Sequence, residues 1–277
     1  MTDGDYDLIV VGAGSAGFSA SITAAEQGAR VALVGEGLIG GTCVNVGCVP
    51  SKTMIRAMET VHQARAAGRF DGIGGAVQVD DWRALVAQKD SLVDDLRQAK
   101  YIDLLPSYDN IDYLNSRAWF TADGLAVEGA DIRADRVIIA TGSKQQVPDI
   151  PGLAAIDYPT STTALELETL PASMLIAGGG YIGCELAQIF ARAGVEVTIV
   201  CRRGLLPGGR AGDQYGLGGG VQGRGHQCGR GRALSECRRG GRASSACHGT
   251  VWPRAAACGR KIASGHGPVG QCGTFEP

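Results

Sequence analysis

Short apolar runs alternate with longer helical patterns over the first 205 residues, and this alternation predicts an α/β fold with parallel strands. The apolar runs Tyr6–Val11 and Val31–Val34 flank a predicted helix over residues 15–27. The same order of strand, helix and strand returns later, with apolar runs at residues 173–177 and 196–201 on either side of a predicted helix over residues 181–193. The pattern therefore predicts two Rossmann-like units, the second of them truncated.

Between these two units the chain continues the pattern. Residues 53–67 and 82–99 predict helices, and in the second of these Lys89 is the polar exception on an otherwise apolar face. Residues 136–140 (RVIIA) predict a buried strand, and residues 148–152 (PDIPG) predict a stiff linker at a domain boundary.

The segment 206–277 has a different composition from the rest of the chain. It holds 19 of the 43 glycines and 10 of the 26 Lys and Arg residues, with little periodic apolar sequence. Such a segment buries too little apolar surface to offset its ordering entropy, so we expect an unfolded tail, most simply a frame-shifted or degraded end. The expected domains are residues 1–147, 148–205 and 206–277.

Charge and cysteine spacing limit the classes of partner that the chain could bind. The formal net charge of −2 combines about +7 in the tail with about −9 in the first 205 residues, which argues against nucleic acid as a partner of the folded part. The tail cysteines have no C-x-x-C pair and match no zinc module. No run of 18 apolar residues and no signal sequence is recognisable, so we expect no membrane span and a cytoplasmic location.

Glycines follow the first apolar run with the spacing G-x-G-x-x-G. Gly12 allows a tight turn, Gly14 lets the backbone approach a pyrophosphate, and Gly17 lets the helix pack closely on the strand. The helix would begin at Ser15, so its N-terminus would face the phosphate charge. The pattern predicts a dinucleotide site. Glu36 is the one acidic candidate for the adenosine ribose, and a solvated loop glutamate is an equal alternative.

A second G-x-G-x-x-G follows the later strand at Gly178, Gly180 and Gly183. Two such units predict two dinucleotides, usually a flavin and a nicotinamide. The strand after this helix is followed by Arg202 rather than an acid, which favours NADP(H) over NAD(H) because an arginine accommodates a 2′-phosphate.

Two cysteines five residues apart, Cys43 and Cys48, lie in the sequence GGTCVNVGCVPSK after the first unit. Pro50 favours the first turn of a helix, so Cys48 should lie at a helix N-terminus, where the thiolate form is favoured. A structural disulfide is unexpected without a signal sequence. The spacing predicts a redox-active dithiol.

This combination resembles the FAD-dependent pyridine nucleotide–disulfide oxidoreductase family. The resemblance implies that Cys43 is the interchange thiol, that Cys48 contacts the flavin, and that Lys52 lies near the flavin ring. It also implies that Glu185 pairs with this lysine and that Tyr181 covers the nicotinamide pocket. Further cofactor contacts implied by the same motifs are Gly41, Thr42, Thr141 and Gly142.

Flanking sequence resembles the mercuric reductases most among the members of this family, at residues 54–57, 96–101 and 158–161. Thiolates are the preferred ligands of soft Hg(II), so Cys43 and Cys48 would hold this ion transiently. The same dithiol would serve a disulfide reductase such as dihydrolipoamide dehydrogenase or glutathione reductase, and an inactive FAD-binding fragment is a third possibility. The expected cofactors are FAD and NADPH, with NADH less favoured.

The resemblance ends near residue 205. Family members form homodimers through a C-terminal domain that supplies half of the substrate site, and no sequence of that kind follows here. We therefore expect a small-molecule or metal-ion substrate and an incomplete enzyme.

Overall fold

The computed structural model describes residues 6–75, 77–122, 124–201 and 205–206, together with the backbone of three short strands further on. The prediction of an unfolded segment over residues 206–277 therefore falls largely outside the described residues. Within that segment, the strands Gln227–Arg230, Lys261–Ser264 and Pro268–Gly270 are described.

Helices and strands alternate along the described chain. The helices are α1 (Ser15–Glu26), α2 (Gly41–Asn45), α3 (Cys48–Ala66), α4 (Trp82–Arg97), α5 (Ser161–Ala164) and α6 (Tyr181–Arg192). The strands are β1 (Tyr6–Val11), β2 (Val31–Val34), β3 (Ile111–Leu114), β4 (Ala118–Phe120), β5 (Leu125–Val127), β6 (Ala130–Ile132), β7 (Ala134–Ile139), β8 (Ser143–Gln145), β9 (Ser173–Ala177), β10 (Glu196–Cys201), β11 (Gln227–Arg230), β12 (Lys261–Ser264) and β13 (Pro268–Gly270).

The chain divides into two compact units. The first comprises Met1–Pro50, Gln88–Lys144 and Gly270–Pro277, and the second comprises Ser51–Ala87 and Gln145–Val269.

The first unit is a parallel sheet in the order β3-β2-β1-β7. Leu8 pairs in register with Val31 of β2 and with Arg136 of β7. The apolar run of β1 is buried on both faces because α1 covers one face and the small antiparallel sheet β4-β5-β6 lies on the other. Two clusters of buried side chains form these layers: Leu8, Val10, Phe18, Val31 and Leu33 on the helical face, and Ile9, Ala32, Val34, Leu125 and Val127 on the other.

The second unit repeats the plan with a parallel sheet in the order β11-β10-β9-β12. Helix α6 follows β9 and buries Leu186, Ile189 and Phe190, all at 1% exposure or less. The indole of Trp82 packs against Phe190 and its Nε1–H donates to the Leu167 carbonyl at 2.7 Å. The prediction of two Rossmann-like α/β units is confirmed.

The predicted helices differ from the observed ones mainly at their ends. Helix α1 ends one residue earlier than predicted, and α3 begins at Cys48 rather than at residue 53. Lys89 keeps its place on the buried face of α4 at 3% exposure and forms an ion pair with the exposed carboxylate of Asp90.

The prediction that residues 136–140 form a buried strand is wrong in one respect. The strand forms as β7, but its residues after Ala134 are exposed, and Ile139 reaches 60% exposure. The reason is its place in the sheet, because β7 is the end strand and β1 is its neighbour among the described residues. The apolar composition of residues 136–140 predicted a buried strand, but β7 lies at the end of the sheet, where its side chains are exposed.

No helix in the described part of the chain is long and apolar enough to cross a membrane.

Candidate functional site

The first glycine loop joins β1 to α1 and has no space for side chains at two positions. A Cβ at Gly12, where φ is +116°, would lie 2.1 Å from the Ala140 carbonyl oxygen, and one at Gly17 would lie 1.8 Å from the Gly12 carbonyl oxygen. Gly14 is the N-cap of α1, and no side chain caps the helix there. The loop therefore presents helix backbone N–H groups on a bare surface, which is the arrangement that binds phosphate.

The cysteine-containing loop begins directly against this glycine loop. Gly40 donates its backbone N–H to the Ala13 carbonyl at 2.9 Å, and Gly14 and Gly40 form a parallel β-bridge. A Cβ at Gly41, where φ is +64°, would lie 2.6 Å from the Gly14 Cα. Two glycine backbones thus touch where the motifs meet, and the structure brings together two segments that the sequence separates by more than twenty residues.

Cys43 and Cys48 lie on two successive helices, α2 and α3. Cys43 is in α2 and Cys48 is the first residue of α3, as the proline pattern predicted. Both cysteine residues are exposed. Thr42 is also exposed, and its carbonyl accepts the Val46 backbone N–H at 3.0 Å. The tight turn between the helices therefore offers both sulfur-bearing residues to solvent beside the glycine loop.

Asn45 is a site residue that sequence reasoning missed. Its Nδ2 donates to the carbonyls of Ile39 and Gly41 at 2.9 and 3.0 Å, and its Oδ1 accepts from Arg97 Nη1 at 3.0 Å. A polar residue midway between the two cysteines was the available signal, but nothing local identified its partner 52 positions away.

The remaining predicted residues of the first unit lie around the same loop. Thr141 and Gly142 follow β7, and a Cβ at Gly12 would lie 2.9 Å from the Thr141 backbone nitrogen. Glu36 is exposed and lies two residues after Val34, where β2 ends, so Gly35 occupies the position directly after the strand. Gly35 admits no side chain, because a Cβ there would lie 2.6 Å from the Ala13 Cβ. Packing thus explains why the first acidic residue is displaced by one position, and its ribose role stays a prediction.

The second glycine loop joins β9 to α6 with the same geometry. Gly178 has φ of +124°, and a Cβ at Gly183 would lie 2.1 Å from the Gly178 carbonyl oxygen. Gly180 is the N-cap of α6, again without a side-chain cap. Tyr181, the first helical residue, is 73% exposed. Arg202 lies outside the described residues.

Lys52 and Glu185 lie together in the second unit. Lys52 Nζ is 2.5 Å from Glu185 Oε1, and the Ser51 hydroxyl donates to Oε2 at 3.0 Å. The Lys52 side chain is 57% exposed, so its charge remains accessible while the carboxylate fixes its position. Lys52 is four residues after Cys48 on α3.

These residues fit two dinucleotides and a redox-active dithiol. Gly14 leaves open the space through which a pyrophosphate approaches the α1 N-terminus, since a Cβ there would meet nothing closer than the Gly41 Cα at 3.5 Å. The fold and the two glycine loops together define a protein with two Rossmann-like dinucleotide-binding folds.

The chain belongs to the pyridine nucleotide-disulphide oxidoreductase family, whose model matches residues 6–211. This family binds FAD and a pyridine nucleotide. The chain is 47% identical over 201 residues to a mercuric reductase of Staphylococcus aureus, which covers 72% of this chain and 36% of the relative. It is 46% identical over 207 residues to a mercuric reductase of Streptomyces lividans, with 72% and 43% coverage.

Solved structures give the same family. The Cu(II) complex of the HOCl-induced flavoprotein disulfide reductase RclA from Escherichia coli has a TM-score of 0.75 at 27% identity, covering 98% of this chain and 58% of that one. A second structure of RclA has a TM-score of 0.66 at 32% identity, with 80% and 48% coverage. The chain spans less than half the length of the mercuric reductases named above.

Proposed function

We propose that this chain contains the electron-transfer half of a flavin- and NADPH-dependent oxidoreductase that reduces Hg(II) through Cys43 and Cys48. The observation that carries the proposal is the direct docking of the cysteine loop on the first glycine loop, through the Gly14 and Gly41 backbones. This docking holds the dithiol beside the place where a flavin dinucleotide would bind.

The first unit would hold FAD through the backbone of Gly12, Gly14 and Ser15 and the N-terminus of α1. The chemistry that bound FAD supplies is two-electron exchange between a nicotinamide and a dithiol. Cys48, at the start of α3, is the sulfur assigned to the cofactor side, and Cys43 on α2 is the sulfur assigned to the substrate side. The paired Lys52 would hold positive charge near the flavin ring, kept in place by Glu185.

The second unit would bind the nicotinamide cofactor through Gly178, Gly180 and Gly183, with Tyr181 exposed at the helix start to cover the pocket. The Arg202 position supports NADPH over NADH in this proposal. We also infer a cytoplasmic location, where NADPH and reduced thiols are maintained.

Mercuric ion is the favoured substrate because thiol sulfurs are soft ligands and because several relatives at 40% identity or more are mercuric reductases. In the net reaction, two electrons from NADPH reduce Hg(II) to Hg(0), and NADP⁺ and a proton are released. A second candidate is a disulfide substrate, supported by the likeness to a flavoprotein disulfide reductase over 98% of the chain.

The test is the visible spectrum of the purified chain, reconstituted with FAD and titrated anaerobically with NADPH or NADH. We expect a visible flavin absorption band that NADPH bleaches. We also expect an additional absorption band at longer wavelength in Cys43→Ser, which keeps the Cys48 thiol on the cofactor side. This additional band should be absent from Cys48→Ser. The matched control is Cys184→Ala, because this buried cysteine lies outside the cysteine loop. A chain that takes up no FAD, or whose flavin spectrum is the same in both serine variants, contradicts the proposal and leaves an inactive fragment.

Substrate choice needs a separate measurement. Reduced chain mixed with Hg(II) should lose two more titratable thiols than a chain that carries both Cys43→Ser and Cys48→Ser, and with FAD and NADPH it should release elemental mercury vapour. Turnover of oxidised glutathione or lipoamide without mercury release would support the second candidate.

A further inference from the structure

The Asn45 side chain holds the middle of the cysteine loop in place through three hydrogen bonds. Its amide nitrogen donates to two carbonyls of its own loop, at Ile39 and Gly41, which closes the loop on itself. Its Oδ1 accepts from the Arg97 guanidinium at 3.0 Å. Arg97 therefore ties the segment between the two cysteines to a helix distant in sequence.

Arg97 is well placed for this task. It is the last residue of α4, and its side chain is only 19% exposed. Its second terminal nitrogen, Nη2, lies 2.6 Å from the exposed carboxylate of Asp94 one turn earlier. The guanidinium is thus held between a carboxylate and the Asn45 oxygen, and a charged donor makes the stronger type of hydrogen bond.

The chain beyond Arg97 continues as a π-helical turn, Gln98–Ile102. Such turns are rare and recur at functional sites. This one carries Tyr101, whose ring lies where a Cβ at Gly40 would approach within 3.2 Å. The same ring packs edge-on against Phe18 at 4.7 Å, and its hydroxyl lies 3.3 Å from the Ser15 hydroxyl.

The end of α4 and the π-helical turn that follows it therefore contact both parts of the site in the first unit. Arg97 contacts the cysteine loop at Asn45, and Tyr101 contacts the start of that loop and the first turn of α1. Two side chains four residues apart hold the loop with the sulfurs and the helix with the phosphate-binding N-terminus.

We infer that Arg97 is a positioning residue for the Cys43 and Cys48 pair, acting through Asn45 and assisted by Tyr101. The inference rests on the proposed function, since it takes these two cysteines as the redox pair. Asn45 is two residues after one cysteine and three before the other, so fixing its side chain limits the distances that the sulfurs sample. Loss of the guanidinium removes the hydrogen bond that ties the middle of the loop to α4 and lowers the effective concentration of one thiol at the other.

The test is a glutathione redox titration of the purified, folded chain, which needs neither flavin nor turnover. In the measured equilibrium, the Cys43 and Cys48 thiols reduce oxidised glutathione: two S–H bonds and the glutathione S–S bond are lost, and one protein S–S bond and two glutathione thiols form. Arg97→Met keeps the length of the side chain and removes the charged donor. We expect its equilibrium constant for disulfide formation to fall about tenfold, the range expected for a hydrogen bond to a charged group.

Matched variants separate positioning from folding. Asp94→Asn removes the outer partner of Arg97 and leaves the Asn45 bond, so its constant should stay within about twofold of the wild type, as for an exposed ion pair. Arg97→Lys retains one donor and should recover part of the loss. A residue that only stabilises the fold would lower the unfolding midpoint without changing the equilibrium constant of the folded chain.

The outcomes are distinguishable. A wild-type chain that forms the disulfide, with Arg97→Met equal to it, overturns the inference and leaves the proposed function intact. A wild-type chain that forms no Cys43–Cys48 disulfide overturns the proposed function, and the inference with it. An equal loss in Asp94→Asn and Arg97→Met also overturns the inference, because it would place the effect in the surface ion pair.

Discussion

A methyl group added at Gly41 should separate the cysteine loop from the glycine loop. At this position φ is +64°, and a Cβ would lie 2.6 Å from the Gly14 Cα. Carbon atoms in ordinary contact are about 3.5–4.0 Å apart, so the two backbones would have to move apart by about 1 Å.

Two costs add in Gly41→Ala. A left-handed backbone costs a residue with a Cβ about 1–2 kcal/mol. Forcing an extra carbon into a close-packed contact costs about 1–3 kcal/mol more. The expected loss in the free energy of unfolding is therefore about 2–5 kcal/mol.

Two other glycines separate these costs. Gly28 has φ of +88° and open space around its Cβ position, so Gly28→Ala should lose only the conformational part, about 1–2 kcal/mol. Gly14 has a negative φ of −81°, and its Cβ would meet the Gly41 Cα at an ordinary 3.5 Å. Gly14→Ala should keep its stability to within about 0.5 kcal/mol and should lose FAD affinity, because its methyl group would occupy the approach to the phosphate site.

Urea denaturation followed by circular dichroism gives the three free energies, and a fluorescence titration with FAD gives the affinities. The order of destabilisation should be Gly41→Ala, then Gly28→Ala, then Gly14→Ala, while FAD affinity should fall in Gly14→Ala without a loss of stability. Equal losses in Gly41→Ala and Gly28→Ala would refute the close contact between the two loops. Unchanged FAD affinity in Gly14→Ala would refute the placement of the phosphate.

Two further predictions concern a half-buried tyrosine and a buried lysine. The Tyr6 hydroxyl donates to Asp112 at 2.9 Å, so Tyr6→Phe should lower the free energy of unfolding by about 1 kcal/mol at pH 8. Desolvation, and then the Asp112 carboxylate, raise the pKa of Tyr6 above 10.0, so its stabilisation is complete below pH 10 and is lost as the pH rises through the raised pKa. Urea denaturation at pH 8 and again above the raised pKa of Tyr6 should show the stability difference between wild type and Tyr6→Phe narrowing at the higher pH, and a constant difference would contradict the assignment. Lys89→Met should leave the free energy of unfolding unchanged or raise it by about 1 kcal/mol. The reason is that a methionine side chain suits the buried site and the Asp90 carboxylate remains in water. A loss above about 2 kcal/mol in the same assay would show that the ion pair is needed for stability.

Much of the fold was predictable because the two central strands of each parallel sheet are short apolar runs bounded by glycine or charge, whereas β3 (IDYL), β6 (ADI) and β8 (SKQ) are not apolar runs and were not predicted. The bounds of β1, β2, β9 and β10 are those that the runs indicated. The exposure of β7 was not predictable, because a strand of the same composition is buried in the middle of a sheet and exposed at its end. Strand order depends on pairing between distant segments, and periodicity within one segment carries no information about it.

The site residues likewise divide into those that the sequence predicted and those that it did not. The glycine spacing indicated a bare helix N-terminus, and Pro50 indicated a helix start at Cys48, because both are local rules of backbone geometry. The pairing of Lys52 with Glu185 was expected from family resemblance alone, since nothing local relates residues 133 positions apart. Neither a local pattern nor the family resemblance indicated the hydrogen bond between Arg97 and Asn45, which only the three-dimensional structure shows.

The two glycine loops show why the dithiol belongs with the first unit. Both loops use the same close approach, in which the third glycine faces the carbonyl of the first, so this feature serves the joining of strand to helix in each. The first loop has in addition the Gly14 and Gly41 contact and the hydrogen bond from Gly40 to Ala13, both made by the loop that carries the cysteines. In the proposed enzyme, a displacement of the phosphate-binding backbone would therefore shift the cysteine loop with it. The Gly14 and Gly41 backbones, together with the Tyr101 ring, would link nucleotide binding to the redox pair. Glycine is required at this contact because a Cβ at Gly41 would lie 2.6 Å from the Gly14 Cα.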